Sequence, residues 1–161
     1  MFGNAEQFDD ITMLEVLYKK RKVDNEIEVE KNFNADVNEL YKVMDFVEHL
    51  LDKCHCSVKV ISQINLAVEE IFVNIAKYAY EGQSGNCKIN VYFNGENTLQ
   101  ITFEDMGKPF NPLLKEKPDI TLSSDEREIG GLGIYITKEI MDSVEYRNEE
   151  GKNILLIKKY I

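Results

Sequence analysis

Residues 61–80 read ISQINLAVEEIFVNIAKYAY, and the rest of the chain is organised around them. At 100° per residue, Ile61, Ile64, Val68, Ile71 and Ile75 recur at steps of three and four and share one side of a helix. Gln63, Glu70, Asn74 and Lys77 fall on the opposite side, within roughly 60° of each other. A carboxylate, an amide and an amine thus point the same way at i, i+4 and i+7. Glu69 points about 100° away from Glu70, so the two adjacent carboxylates are not equivalent. Taken alone, this is as compatible with a half-buried helix and its solvated face as with a site.

The neighbouring stretches alternate between strand and helix patterns. Residues 10–18 alternate and are rich in β-formers, as do residues 26–33, with the charged linker YKKRKVDNE between them. Asn34 or Asp36 is placed to cap a helix whose apolar stripe is Val37, Leu40, Val43/Met44, Val47, Leu50 and Leu51. That helix ends near 53–55, and the helix of residues 61–80 starts at about Ser57. A turn at 81–86 precedes a strand at 88–94, a hairpin signal at Asn94-Gly95-Glu96-Asn97 and a returning strand at 99–104. Residues 111–129 have no period and are rich in Lys, Glu, Asp, Ser and Pro, the pattern of a long functional loop or lid. A helix from 134 to about 141 follows, then a hairpin of 144–148 and 154–159. This order predicts a two-layer α/β sandwich (α+β), with a mixed, mostly antiparallel sheet and helices on one face.

Composition narrows the function classes. The chain has 161 residues, 43% hydrophobic and 30% charged, with a net charge of −10. It is long enough to bury a core as a single domain. The acidic balance argues against nucleic acid, whose phosphates need a basic face, but not against a nucleotide neutralised locally. No apolar run is long enough to span a membrane, and the N-terminus carries no signal-peptide pattern. Cys54, Cys56 and Cys87 form no paired framework, which predicts a reducing cytoplasm. Cys54-His55-Cys56 lacks the second ligand pair a zinc site needs. No Ser/His/Asp arrangement is legible, and His49 and His55 lie near a helix end.

Three short motifs carry chemistry. Gly130-Gly131-Leu132-Gly133 joins a polar loop to an amphipathic helix, where bare backbone N–H groups and a helix start suit phosphate. Asp105-x-Gly107 ends a strand, where a carboxylate can accept from an exocyclic amine beside a flat base. Asn74 offers an amide oxygen to Mg²⁺, and Glu70, one turn earlier, can accept a proton from an attacking hydroxyl. Lys77 is placed to meet a phosphate or to extend into solvent.

In order, E-x-x-x-N-x-x-K, D-x-G-x-P-F and G-G-L-G-I resemble the GHKL ATPase superfamily. The short lid and E-x-G-K-N-I-L-L-I-K-K are most similar to its anti-sigma factor serine/threonine kinases, over residues 27–161. The resemblance implies a Bergerat ATP-binding fold with ATP and Mg²⁺. It casts Glu70 as the catalytic carboxylate, Asn74 as the Mg²⁺ ligand, Asp105 as the adenine reader and Gly107 as its support. It also assigns Gly131, Leu132 and Gly133 to the phosphate turn and Arg127 to the terminal phosphate or the partner. The implied substrate is a Ser or Thr on an anti-sigma-factor antagonist, with a sigma factor as the other partner. A homodimer is compatible with it, and the alternative is an ATP-dependent binding module without kinase activity.

Two departures stand out. Tyr78 occupies a position where many of these kinases have histidine, and Leu156 one where many relatives place an adenine-supporting threonine. Nothing resembles the phospho-accepting helix of a complete histidine kinase. Residues 1–20 resemble the last strand of metal-dependent serine phosphatases, with Asp9 at a metal-binding position. Residues 21–26 then form a linker.

Overall fold

The computed structural model describes residues 25–114 and 132–161. The expected strand at 10–18, Asp9, Arg127, Gly131 and most of the expected lid lie outside the described residues.

Five strands form one sheet: β1 (Ile27–Asn34), β2 (Asn86–Phe93), β3 (Thr98–Asp105), β4 (Ser143–Glu149) and β5 (Lys152–Tyr160). Their order is β1-β2-β3-β5-β4. Every pairing is antiparallel, so among the described residues the sheet is not mixed. The period of two drives this arrangement. Cys87, Ile89, Val91 and Phe93 of β2 and Leu99, Ile101 and Phe103 of β3 are buried, and the residues between them are half-exposed. The open face is polar. Lys88 of β2 lies between Glu30 of β1 at 3.8 Å and Glu104 of β3 at 3.6 Å. Hairpin chemistry fixes the register. Asn94 Oδ1 accepts from the N–H groups of Glu96, Asn97 and Thr98. Glu150 and Gly151 both take positive φ, as a two-residue hairpin between right-twisted strands requires.

Three helices, α1 (Leu40–Lys53), α2 (Val58–Asn74) and α3 (Leu132–Ile140), cover the apolar face. Asp36 is the cap at the first, its Oδ1 accepting from Asn38 N at 2.8 Å. It caps a 3₁₀ turn over Val37–Glu39 rather than α1 itself. The tighter turn takes Val37 off the expected stripe and leaves it 42% exposed. Val43, Val47, Leu50 and Leu51 continue the stripe as expected and are buried. Ser57 caps α2, accepting from Val60 N. α2 runs between α1 and α3, and its Phe72 is fully buried between the layers. Truncating such a side chain costs about 3–5 kcal/mol.

At one end of the sheet the core-facing rows change character. Leu99, Ile101 and Phe103 are followed by Asp105 on β3, and Ile157 and Leu155 by Asn153 on β5. Asp105 and Asn153 sit directly opposite each other, each only 6% exposed. A buried polar pair at the end of two apolar rows marks where the core gives way to a site.

Candidate functional site

α2 does not stop at Asn74. It passes into a π turn over Ile75–Ala79, a local widening that is frequent at functional sites. Before the turn the helical geometry separates the two carboxylates, leaving Glu69 exposed and Glu70 half-buried. Glu70 reaches the start of α3. A Cβ built on Gly133 would lie 2.9 Å from Glu70 Cγ and closer still to its carboxylate. The carboxylate therefore rests directly on the bare backbone of Gly133.

Beside this contact lies a cavity of about 350 Å³. Ile71, Asn74, Ile75, Tyr78 and Ala79 form one wall, and Asp105, Lys108, Pro109 and Phe110 another. Ile134, Tyr146, Asn153 and Leu155 close the inner side. Lys108 and Glu81 pair at the exposed rim at 2.9 Å. Among the described residues most of the lining is aliphatic or aromatic, and the one buried carboxylate is Asp105. A flat, largely apolar group carrying a hydrogen-bond donor is the chemistry that such a cavity accepts.

The loop after β3 is held on every side. Gly107 N donates to Asp105 Oδ1 at 2.8 Å and Met106 N to Tyr80 Oη at 3.1 Å. Lys108 N donates to Ala79 O at 2.7 Å. Gly107 is pressed against Ala79, where an added Cβ would lie 2.6 Å from the Ala79 Cβ and overlap its carbonyl. From the sheet, Asn153 Nδ2 donates to Asp105 Oδ1 at 2.9 Å, Gly107 O at 3.2 Å and Lys108 O at 3.3 Å. Asn153 Oδ1 in turn accepts from Tyr146 Oη at 2.7 Å and Asn148 Nδ2 at 3.0 Å.

The residues singled out from sequence thus fall into three groups. Asn74 and Asp105 line the cavity, with Gly107 behind Asp105. Glu70 and Gly133 meet each other at the start of α3, with Leu132 beside them and 40% exposed. Lys77 is exposed and is not among the residues that line the cavity. Arg127 and Gly131 lie outside the described residues.

Leu156 requires a correction. It pairs with Thr102 and Glu145, on the other side of β5 from Asp105, and the side chain beside Asp105 is Asn153. In the sequence Asn153 stands next to Lys152, just before the apolar run 154–157, and reads as the end of a turn. Tyr80 and Tyr146 are equally unmarked, since their contacts depend on the strand register and on the loop after β3. Burial pushes the Cys54 thiol up to about 11 and the Cys87 thiol higher still.

Residues 33–159 match the family described as the histidine kinase-like ATPase domain. Among curated relatives, the serine-protein kinase RsbW of Listeria monocytogenes is 26% identical over 106 residues, 63% of this chain and 68% of that protein. The serine-protein kinase RsbW of Bacillus thuringiensis is 31% identical over 102 residues, 61% of this chain and 63% of that protein. The crystal structure of the RsbU and RsbW domains of Rv1364c from Mycobacterium tuberculosis is similar in fold, with a TM-score of 0.59 at 12% identity. That match covers 83% of this chain and 32% of the other.

Proposed function

We propose that this chain, which belongs to the histidine kinase-like ATPase domain family, is an ATP-dependent protein serine/threonine kinase of the anti-sigma-factor type. ATP occupies the cavity with its base toward Asp105. The γ-phosphate passes to a serine or threonine of an antagonist protein, and the unphosphorylated antagonist competes with a sigma factor for the kinase. Residues 27–161 are the kinase-like unit, residues 21–26 the linker and residues 1–20 the phosphatase-like end. Arg127 and Gly131 belong to the phosphate end of the site in this reading, and Lys77 contributes from the rim.

The observation that carries the reading is the placement of α2. Asn74 lines the cavity, and Glu70, one turn earlier, lies against Gly133. One helix therefore presents an amide side chain to the cavity and a carboxylate to the start of α3. The base end fits adenine, because the only buried carboxylate there among the described residues, Asp105, can accept from an exocyclic amine and the remaining lining is mostly apolar. Asn74 would hold Mg²⁺ through its amide oxygen, the kind of donor this ion prefers. When bound, the ion neutralises charge on the phosphates. The chain's own residues do the rest. Glu70 takes the proton from the attacking hydroxyl, Gly133 keeps the carboxylate in place, and the first turn of α3 accepts phosphate at bare N–H groups.

The test is transfer from γ-labelled ATP to the antagonist. Glu70→Gln lowers transfer by about 10²–10⁴-fold while ATP affinity stays within about threefold. Full transfer by Glu70→Gln sinks the catalytic assignment. ATP binding by the unaltered chain with neither transfer nor hydrolysis would instead identify a nucleotide-dependent binding module.

A further inference from the structure

We infer that Asn153 is a positioning residue for base recognition, acting through Asp105 so that the cavity selects a purine carrying a 6-amino group. The inference rests on the reading of Asp105 as the base-reading carboxylate.

The hydrogen-bonding capacity of Asn153 is saturated. An amide side chain offers two N–H donors and one oxygen with two lone pairs. Asn153 Nδ2 faces three acceptors: Asp105 Oδ1, Gly107 O and Lys108 O. Its Oδ1 faces two donors, Tyr146 Oη and Asn148 Nδ2. The chemistry of these partners fixes which way the amide points, since the flipped amide would set oxygen against three oxygens. No polar capacity remains on Asn153 for a ligand, although it lines the cavity. Its influence on a base is therefore transmitted through the groups it holds.

What it holds is the orientation of one carboxylate. Among the described residues both hydrogen bonds to Asp105 fall on Oδ1, from Gly107 N and from Asn153. With Oδ1 anchored twice, the carboxylate plane is set and Oδ2 is the oxygen left for the ligand. A 6-amino purine supplies the matching N–H. A 6-oxo purine would place its carbonyl oxygen against Oδ2, and Asn153 has no spare donor to turn toward it. A threonine at 153 would have a single hydroxyl hydrogen, enough for Asp105 but not also for the carbonyls of Gly107 and Lys108.

Equilibrium binding of ATP and of purine riboside triphosphate, which lacks only the 6-amino group, tests this with Mg²⁺ present. The unaltered chain prefers ATP by about tenfold or more, the scale of one hydrogen bond to a charged group. Asn153→Ala brings the two affinities to within about threefold, chiefly by weakening ATP. Asn153→Thr gives an intermediate ratio. So does Tyr146→Phe, which removes one of the two donors on Asn153 Oδ1 and keeps the test available if Asn153→Ala fails to fold. An Asn153→Ala chain that folds and keeps the full preference overturns the inference, as does one that weakens both nucleotides equally. No preference in the unaltered chain, or an Asp105→Ala variant that keeps the preference, overturns the reading of Asp105 and the inference with it.

Discussion

Replacing Gly133 with alanine separates the catalytic contact from the fold. Gly133 is the second residue of α3 and does not have positive φ, so the backbone accepts alanine. Helix propensity alone then favours the variant by at most about 0.5–1 kcal/mol, the helix-interior value, a rise of about 1–4 °C in Tm. The new Cβ, however, would lie 2.9 Å from Glu70 Cγ and nearer its carboxylate. Carbon contacts settle at about 3.5–4.0 Å. The obstacle is the end of a flexible side chain, so Glu70 moves rather than α3, retreating by about 1 Å. A misplacement of that size costs about 10²-fold in rate, or about 2.7 kcal/mol of barrier. Single-turnover transfer from γ-labelled ATP, ATP titration and a thermal scan on the same sample give the three readouts. The expected pattern is a raised Tm, ATP affinity within about tenfold and transfer down about a hundredfold. Transfer within threefold of the unaltered chain refutes the reasoning. Loss of ATP binding in proportion to transfer also refutes it, since the glycine would then act by clearing space for phosphate.

Two further outcomes follow from the hydrogen bonds of Tyr80 and from two buried thiols. Tyr80 Oη donates to Asn86 O at 2.5 Å and accepts from Met106 N at 3.1 Å. Tyr80→Phe therefore lowers stability by about 1–2 kcal/mol, read by urea unfolding, and an unchanged midpoint would refute the bridge. Burial raises the thiols of Cys54 and Cys87, which makes both poor nucleophiles at pH 8. With the Cys54 thiol up to about 11, against about 8.5 unfolded, native alkylation is slower than in urea by about two orders of magnitude. A raised thiol favours the folded chain below its unfolded value. This contribution is complete below about pH 8.5 and declines as pH climbs toward about 11. Rapid iodoacetamide labelling of native Cys54 at pH 8 contradicts this account.

Sequence pattern reaches furthest where one periodicity governs a whole element. The alternation of β2 and β3 and the stripe Val43, Val47, Leu50 and Leu51 are legible because each residue repeats its neighbours' preference. Glu70 is separable from Glu69 by helix geometry alone, and Asn74 keeps its expected place because α2 is regular up to that point. Lys77, three residues later, is exposed, one of the two placements its position allows. Nothing in IAKYA distinguishes a π turn from an α turn. Leu156 belongs to one apolar run with its neighbours, and only the cross-strand register with β3, a tertiary property, sets Asn153 opposite Asp105.

The segment Asp105–Lys108 has one more consequence, for the entropy of binding. Its three N–H groups after Asp105 all have partners, as do the carbonyls of Gly107 and Lys108. Ordering four residues of backbone costs about 4–8 kcal/mol, and here folding meets that cost before any ligand arrives. The base end is thus a rigid template, and a ligand settling there loses its own freedom but does not have to organise the wall it meets.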